Sequence, residues 1–265
     1  MPMSAPPPPP DDRVVARLRA AGCVFAEDEA ALLSEAAASA AELERLVRRR
    51  ESGLPLEQVL GWAAFCGLRI RVAPGVFVPR RRTELLAEQA IARVRTLGPS
   101  TVVVDLCCGS GAVAAAVLAA APTAHVVAAD LDPAAVACAR GNLPAGAVFE
   151  GDLFGALPAA LRGTVDVLAC NAPYVPTSSL GTMPPEARLY EPTVALDGGA
   201  DGLDLQRRVA AAARDWLAPA GILLIETSDR QADATAALLA AVGLPPRIER
   251  DDERDATVVV GGPAA

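Results

Sequence analysis

The 265-residue chain is 52 % hydrophobic, carries a formal net charge of -8 and has only 3 % aromatic residues. That length and apolar content suffice for one large domain and a small one around a buried core. The acidic balance lacks the electrostatic footprint of a protein that grips phosphate backbones, so nucleic acid is disfavoured as a partner.

Met1 to Asp12 is a proline-rich tail with neither a basic start nor an apolar stretch, so it reads as disordered and not as a signal peptide. From residue 13 to residue 58, apolar positions such as Leu32, Ala36, Leu43 and Leu46 recur at helical spacing, which predicts a small helical domain. Its Arg48-Arg49-Arg50 run reads as a solvated helix C-terminus favoured by the macrodipole. Residues 59–82 alternate imperfectly around Gly67, Pro74 and Gly75 and predict a hairpin-like connector.

Beyond Thr83 the pattern turns to strands alternating with helices, and residues 83–265 form the expected catalytic domain. Strands are predicted at Thr101–Leu106, His125–Asp130, Ala147–Glu150, Val165–Asn171, Gly221–Glu226, Arg247–Arg250 and Thr257–Val260. Helices are predicted at Leu85–Val94, Ala112–Ala120, Ala134–Gly141, Leu205–Leu217 and Ala232–Val242. This order implies an α/β fold with a doubly wound, mostly parallel, Rossmann-like sheet, whose ligands bind outside the carboxyl ends of the strands.

Gly109-Ser110-Gly111 opens a loose dinucleotide-type pattern that is weak by itself. Charge placement decides between ligands. Asp105 and Asp130 end the first two strands and Asp152 follows the third. Such a cluster repels a pyrophosphate and suits the sulfonium and ammonium of S-adenosylmethionine (SAM). Asp130 sits where a ribose hydroxyl acceptor is expected, whereas Asp132 before Pro133 reads as a helix cap. The six cysteines form no C-x-x-C pair and one histidine is present, so the thiols read as reduced, buried hydrophobes of a cytoplasmic protein, with no metal site. The most alanine-rich run, Ala112–Ala121, is too short to span a bilayer.

Asn171-Ala172-Pro173-Tyr174 is the more demanding motif. An amide nitrogen is a poor nucleophile because its lone pair is delocalised into the carbonyl. If the Asn171 side-chain oxygen and the Ala172 carbonyl each accept one N–H, the lone pair turns toward a donor methyl, and catalysis proceeds by orientation without a covalent intermediate. Tyr174 would pack against the flat acceptor group.

These motifs, with Phe77-Val-Pro79-Arg80, Thr83-Glu84, Asp152-Leu153-Phe154 and the Glu191 to Gly202 segment, resemble the HemK/PrmC family of protein glutamine methyltransferases from about Gly53 to Gly261. The resemblance implies methylation of the glutamine of the GGQ motif in peptide chain release factors, with SAM as donor. It also implies that Cys107, Cys108, Gly109, Ser110, Gly111, Asp130 and Leu153 line the SAM pocket. Asn171 to Tyr174 would then hold the substrate glutamine, bordered by Phe77, Pro79, Arg80, Thr83 and Glu84, although Thr83 also reads as a cap for the next helix. Two departures stand out: Ala172 replaces the first proline of the family's Asn-Pro-Pro-Tyr, and Cys107-Cys108 replaces the commoner Gly-Thr. Alternatives are an amino-group methyltransferase acting on a nucleic-acid base, a paralogue acting on another protein glutamine or a small amide, and a catalytically silent SAM-binding module.

Overall fold

The computed structural model describes residues 11–263, so residues 1–10 of the expected tail lie outside the described residues. Asp11 accepts from Arg13 N and caps α1 (Asp12–Ala20). Three further helices follow, α2 (Ala26–Ala36), α3 (Ala40–Glu51) and α4 (Leu56–Leu60). Their apolar faces meet in a small core that includes Leu18, Leu33, Val47 and Val59.

The Arg48 to Arg50 run is not the uniformly solvated terminus its composition predicts. Arg50 is buried, with Nε 2.6 Å from Glu29 and a second nitrogen 2.7 Å from Glu186. Arg49 donates to the carbonyls of Gln58 and Val59, and only Arg48 stays on the surface, paired with Glu44. Helical phase turns successive arginines by about 100° and so gives each a different environment.

A two-stranded antiparallel hairpin, β1 (Trp62–Phe65) and β2 (Leu68–Arg71), turns at Cys66-Gly67, both at positive φ. A 3-10 turn at Arg81–Thr83 leads into α5 (Glu84–Leu97). The main sheet is then built in alternation: β3 (Val102–Leu106), α6 (Ala112–Ala120), β4 (His125–Asp130), α7 (Pro133–Ala139), β5 (Val148–Glu150) and β6 (Val165–Cys170). After them come α8 (Pro185–Tyr190), α9 (Asp204–Trp216), β7 (Leu217–Thr227), α10 (Ala232–Ala241), β8 (Pro246–Asp251) and β9 (Ala256–Gly261).

The seven strands lie in the order β5-β4-β3-β6-β7-β9-β8, parallel from β5 to β7 and antiparallel at the β9-β8 edge. Both faces are covered. Val103 packs in one layer with residues of α5 and α6, such as Leu86 and Val117, and Val104 packs in the other with Val209 and Trp216 of α9 and Leu239 of α10. The chain reverses its direction of growth between β3 and β6, which makes their carboxyl ends the topological switch point.

Two boundaries differ from the pattern-based expectation. Leu217 begins β7 where periodicity extended α9, because it pairs with Val165 ahead of a register irregularity at the edge of the β6 ladder. Asn171 lies just past β6, free of the ladder.

Candidate active site

A cavity of about 510 Å³ opens at the switch point, within the range of small-molecule sites. Its floor is the turn after β3. Cys107 has φ 57°, Cys108 N donates to Ala129 O at 3.1 Å, and Gly111 N closes the turn on Cys108 O at 2.7 Å. A side chain at Gly111 would press into Leu143 and Ala139, and its own φ is +77°, so α6 can approach α7 this closely only with glycine there. Gly111 therefore shapes the turn from behind and is not among the residues lining the cavity, while Cys107, Cys108, Gly109 and Ser110 are.

Asp130 holds the turn in place. Its Oδ2 accepts from Gly109 N at 2.8 Å and its Oδ1 from Asp132 N at 2.9 Å, leaving lone pairs on both oxygens toward the cavity it lines. Burial pushes its pKa up and the backbone donors hold it down. Asp132 accepts from Ala134 N and caps α7.

The other two carboxylates of the expected cluster sit differently. Asp105 is 2 % exposed, accepts from Ala114 N at 3.1 Å, and is pushed up to about 7 by burial. It ties β3 to the first turn of α6 while touching the cavity. Asp152 is on the surface and pairs with Arg208 of α9 at 2.6 Å, so part of its charge is already compensated. Asp130 is thus the carboxylate best placed for a neutral polar ligand group such as a ribose.

Leu153 lines the cavity at φ 47°, an uncommon backbone state for a branched residue. The neighbouring Cys170 thiol and desolvation push the half-buried Cys107 thiol well up, and burial likewise raises Cys108, so both stay protonated.

The opposite wall is the segment after β6. Asn171, Ala172, Pro173 and Tyr174 line the cavity together with Phe77, Pro79, Arg80 and Thr83. Asn171 Nδ2 donates to Thr83 Oγ1 at 3.3 Å, which leaves Oδ1 as its free acceptor. Thr83 does not cap α5: its φ and ψ are helical and its side chain makes no capping bond. Glu84 faces away from the cavity, accepting from Cys66 N at 2.8 Å and lying 3.6 Å from Arg254, so it anchors the hairpin and the β8-β9 edge to α5.

Several residues that shape this wall have no role predicted from the sequence, although Glu191 and the glycines after Leu196 lie in the segment that carries the resemblance. Glu191, with a fully buried side chain, accepts two bonds from Arg80 at 2.6 and 2.7 Å and one from Val78 N at 3.1 Å, tying the Phe77 to Arg80 segment to the Pro192–Asp197 wall. Gln231 Nε2 donates to Tyr174 O and to Asp201 O, both at 3.0 Å. Asn142 bonds Ser110 O at 2.8 Å and Arg71 O at 2.9 Å, fastening the β3 turn to the hairpin. The glycine-rich stretch after Leu196 wraps the Asn171 loop by backbone contact, with Val175 N on Leu196 O and Gly198 N on Val175 O.

The seven-stranded order, the turn after β3 and an acceptor-bearing Asn after β6 define a SAM-dependent methyltransferase. A model of the methyltransferase small domain matches residues 67–182. The solved structure of a ribosomal protein L11 methylase from Lactobacillus delbrueckii shares the fold, at TM-score 0.51 and 16 % identity over 72 % of this chain and 83 % of that one.

A release factor glutamine methyltransferase from Geobacter sulfurreducens is 38 % identical over 82 % of this chain and 76 % of its own length. Another, from Streptomyces coelicolor, is 40 % identical over 70 % of this chain and 67 % of its own. A 4-amino-L-phenylalanine/4-methylamino-L-phenylalanine methyltransferase from Streptomyces pristinaespiralis is 39 % identical over 74 % of this chain and 69 % of its own. The chain belongs to the release factor glutamine methyltransferase family.

Proposed function

We propose that this protein methylates the side-chain amide nitrogen of a protein glutamine, that of the GGQ motif in peptide chain release factors, with SAM as donor. The observation that carries the reading is the single cavity joining Asp130 and the β3 turn to the free Oδ1 of Asn171 across the ends of three adjacent strands, β4, β3 and β6. The residues fit the donor: Asp130 offers lone pairs to ribose hydroxyls, and Cys107, Ser110 and Leu153 offer close backbone approach. When bound, SAM supplies an electrophilic methyl carbon on a sulfonium.

The protein supplies orientation. Asn171 Oδ1 and the Ala172 carbonyl would each accept one hydrogen bond from the acceptor amide's NH2, which fixes the amide plane and aims the nitrogen lone pair along the cavity. Neither group is a nucleophile, so no covalent enzyme intermediate would form; the N–H proton released as the methyl bonds to nitrogen and leaves its sulfur would pass to water at the cavity mouth. Tyr174 supplies a flat face for the acceptor amide. Phe77, Pro79 and Leu196 give the cavity wall apolar surface beside the clamp.

A second reading, N-methylation of a free aromatic amino acid bearing an amine, is favoured by the Streptomyces pristinaespiralis relative. Incubation with labelled SAM and either purified release factors or 4-amino-L-phenylalanine separates the two. A methyl located by peptide mass spectrometry on the GGQ glutamine supports the first reading. Turnover of the amino acid alone supports the second, and none with either acceptor overturns both.

Nucleic acid stays outside the proposed acceptors, because a net charge of -8 supplies few phosphate contacts. We place the reaction in the cytoplasm, in keeping with six free cysteines. Among the described residues no helix is long and apolar enough to cross a membrane.

Asp130→Ala should weaken SAM binding at least tenfold, since hydrogen bonds to a charged acceptor contribute about 1.5–3 kcal/mol each. Calorimetry reads it, and an unchanged Kd removes Asp130 from the donor site. Ala172→Pro restores the family tetrapeptide. The Ala172 N–H donates to none of the described acceptors, so no bond is lost and turnover should hold or rise. A tenfold fall in kcat would show that the loop geometry rejects proline.

A further inference from the structure

Glu226 lies near the end of β7 and takes no part in the site as described so far. Strand alternation places it on the same sheet face as Ile222 and Leu224, beneath α5, directly opposite Val258 of β9. It is 2 % exposed. Its Oε1 accepts from Tyr174 Oη at 3.4 Å, the Thr83 hydroxyl also bears on the carboxylate, and Oε2 has no hydrogen-bond partner in the structure. A buried carboxylate with one oxygen unsatisfied costs stability, and the hydrophobic neighbours of its strand face give no packing reason for it.

Its neighbours supply a functional reason. Thr83 accepts from Asn171 at 3.3 Å and its hydroxyl also holds the Glu226 carboxyl down, while Tyr174 donates to the same carboxylate at 3.4 Å. Two of the four residues of the proposed amide clamp are therefore held through one acidic group.

We propose that Glu226 is a positioning residue which sets the orientation of the Asn171 carboxamide through Thr83. An ionised carboxylate only accepts hydrogen bonds, so the hydroxyls of Thr83 and Tyr174 must point their protons at it. Thr83 Oγ1 is left with lone pairs alone toward Asn171, and of the two ends of that carboxamide only the NH2 can meet them. The flip is thereby decided: Nδ2 faces Thr83 and Oδ1 faces the acceptor nitrogen. Without the acidic group, Thr83 can turn its proton toward Asn171, and the flipped carboxamide then presents an NH2 to an acceptor NH2, which repels it. The inference rests on the amide-clamp reading given above.

The charged and titratable groups facing Glu226 are Arg82, Arg80 and Tyr174. Burial pushes the carboxyl up to about 7, with Thr83, Arg82 and Tyr174 holding it down. The ionised form is the one that orients the clamp, so kcat rises with pH through that region.

The test uses the full chain, saturating SAM and purified release factor, with Glu226→Gln, Thr83→Val and Thr83→Ser. Wild-type turnover on the release factor is the reference, and its absence would overturn the acceptor assignment and not this relay. E226Q and T83V should each lower kcat at least tenfold while the SAM Kd stays within threefold, and T83S, which keeps the hydroxyl, should recover most of the loss seen in T83V. The rise of kcat with pH near neutrality should be absent from E226Q. Should E226Q fail to fold, the T83V and T83S pair decides by itself. Wild-type kcat in T83V, or equal loss in T83V and T83S, overturns the proposal.

Discussion

Asn171→Ala should lower methyl transfer by roughly 10²-fold or more while SAM affinity changes little. Removal of one preorganised hydrogen-bond partner of a transition state typically costs that much. The side chain reaches only Thr83 within the protein, at 3.3 Å, and its other end is free toward the cavity. Fold stability should be barely affected, because the loop is held by backbone bonds from Val175 and Gly198 and by Gln231. The decisive measurement is kcat at saturating SAM beside a calorimetric Kd. Full turnover on the true acceptor would reduce the motif to a turn and discard the clamp.

A change further from the chemistry should be nearly as damaging. Gly202 has φ +80° and sits against the backbone oxygen of Tyr174 and the side-chain nitrogen of Gln231, so closely that an added Cβ would overlap both. Gly202→Ala must adopt a left-handed backbone, at about 1–2 kcal/mol, and must displace the Gln231 to Tyr174 bond that holds the loop. A destabilisation on the order of 3 kcal/mol is expected, near the upper end for single substitutions. For a domain of this size it lowers Tm by roughly 10 °C. Turnover should fall with it, because the Tyr174 carbonyl is two residues from Ala172. Gly181→Ala is the control, since a Cβ there meets nothing within 4 Å. If G202A melts with the wild type, the glycine-rich segment does not brace the clamp.

These two substitutions mark different depths of sequence legibility. Asn171 is visible in the chain as an acceptor-bearing residue between a strand and a proline, and Asp130 as a carboxylate ending an earlier strand. Local order is enough for both, since a parallel sheet delivers strand ends to one edge whatever the details of packing. The region between Pro176 and Leu203 is harder to read. It holds two short 3-10 turns and α8, whose lengths are too small for periodicity to register. Its glycines show their purpose only when Gly198 and Gly202 are seen against the backbone of the Asn171 loop.

Charge roles divide in the same way. From the chain alone Asp130 is singled out as the ribose acceptor, while Asp105 and Asp152 read only as further carboxylates at strand ends. All three line the cavity, but the fold buries Asp105 against Ala114 N and pairs the exposed Asp152 with Arg208, while Asp130 holds the β3 turn. Glu84 stands beside Thr83 in a recognisable motif, yet helical rotation sends it to Cys66 and Arg254 while Thr83 meets Asn171.

The sequence by itself determined the α/β alternation, the two strand-end motifs and their relation to SAM chemistry, because each depends on period and on residue type within a few positions. Tertiary structure alone decided that Arg208 compensates Asp152, that Glu191 braces Arg80, and that Glu226 lies under Thr83 and Tyr174. Those contacts join residues between 52 and 143 positions apart in the chain, and no local preference encodes a neighbour that only the closed sheet brings near.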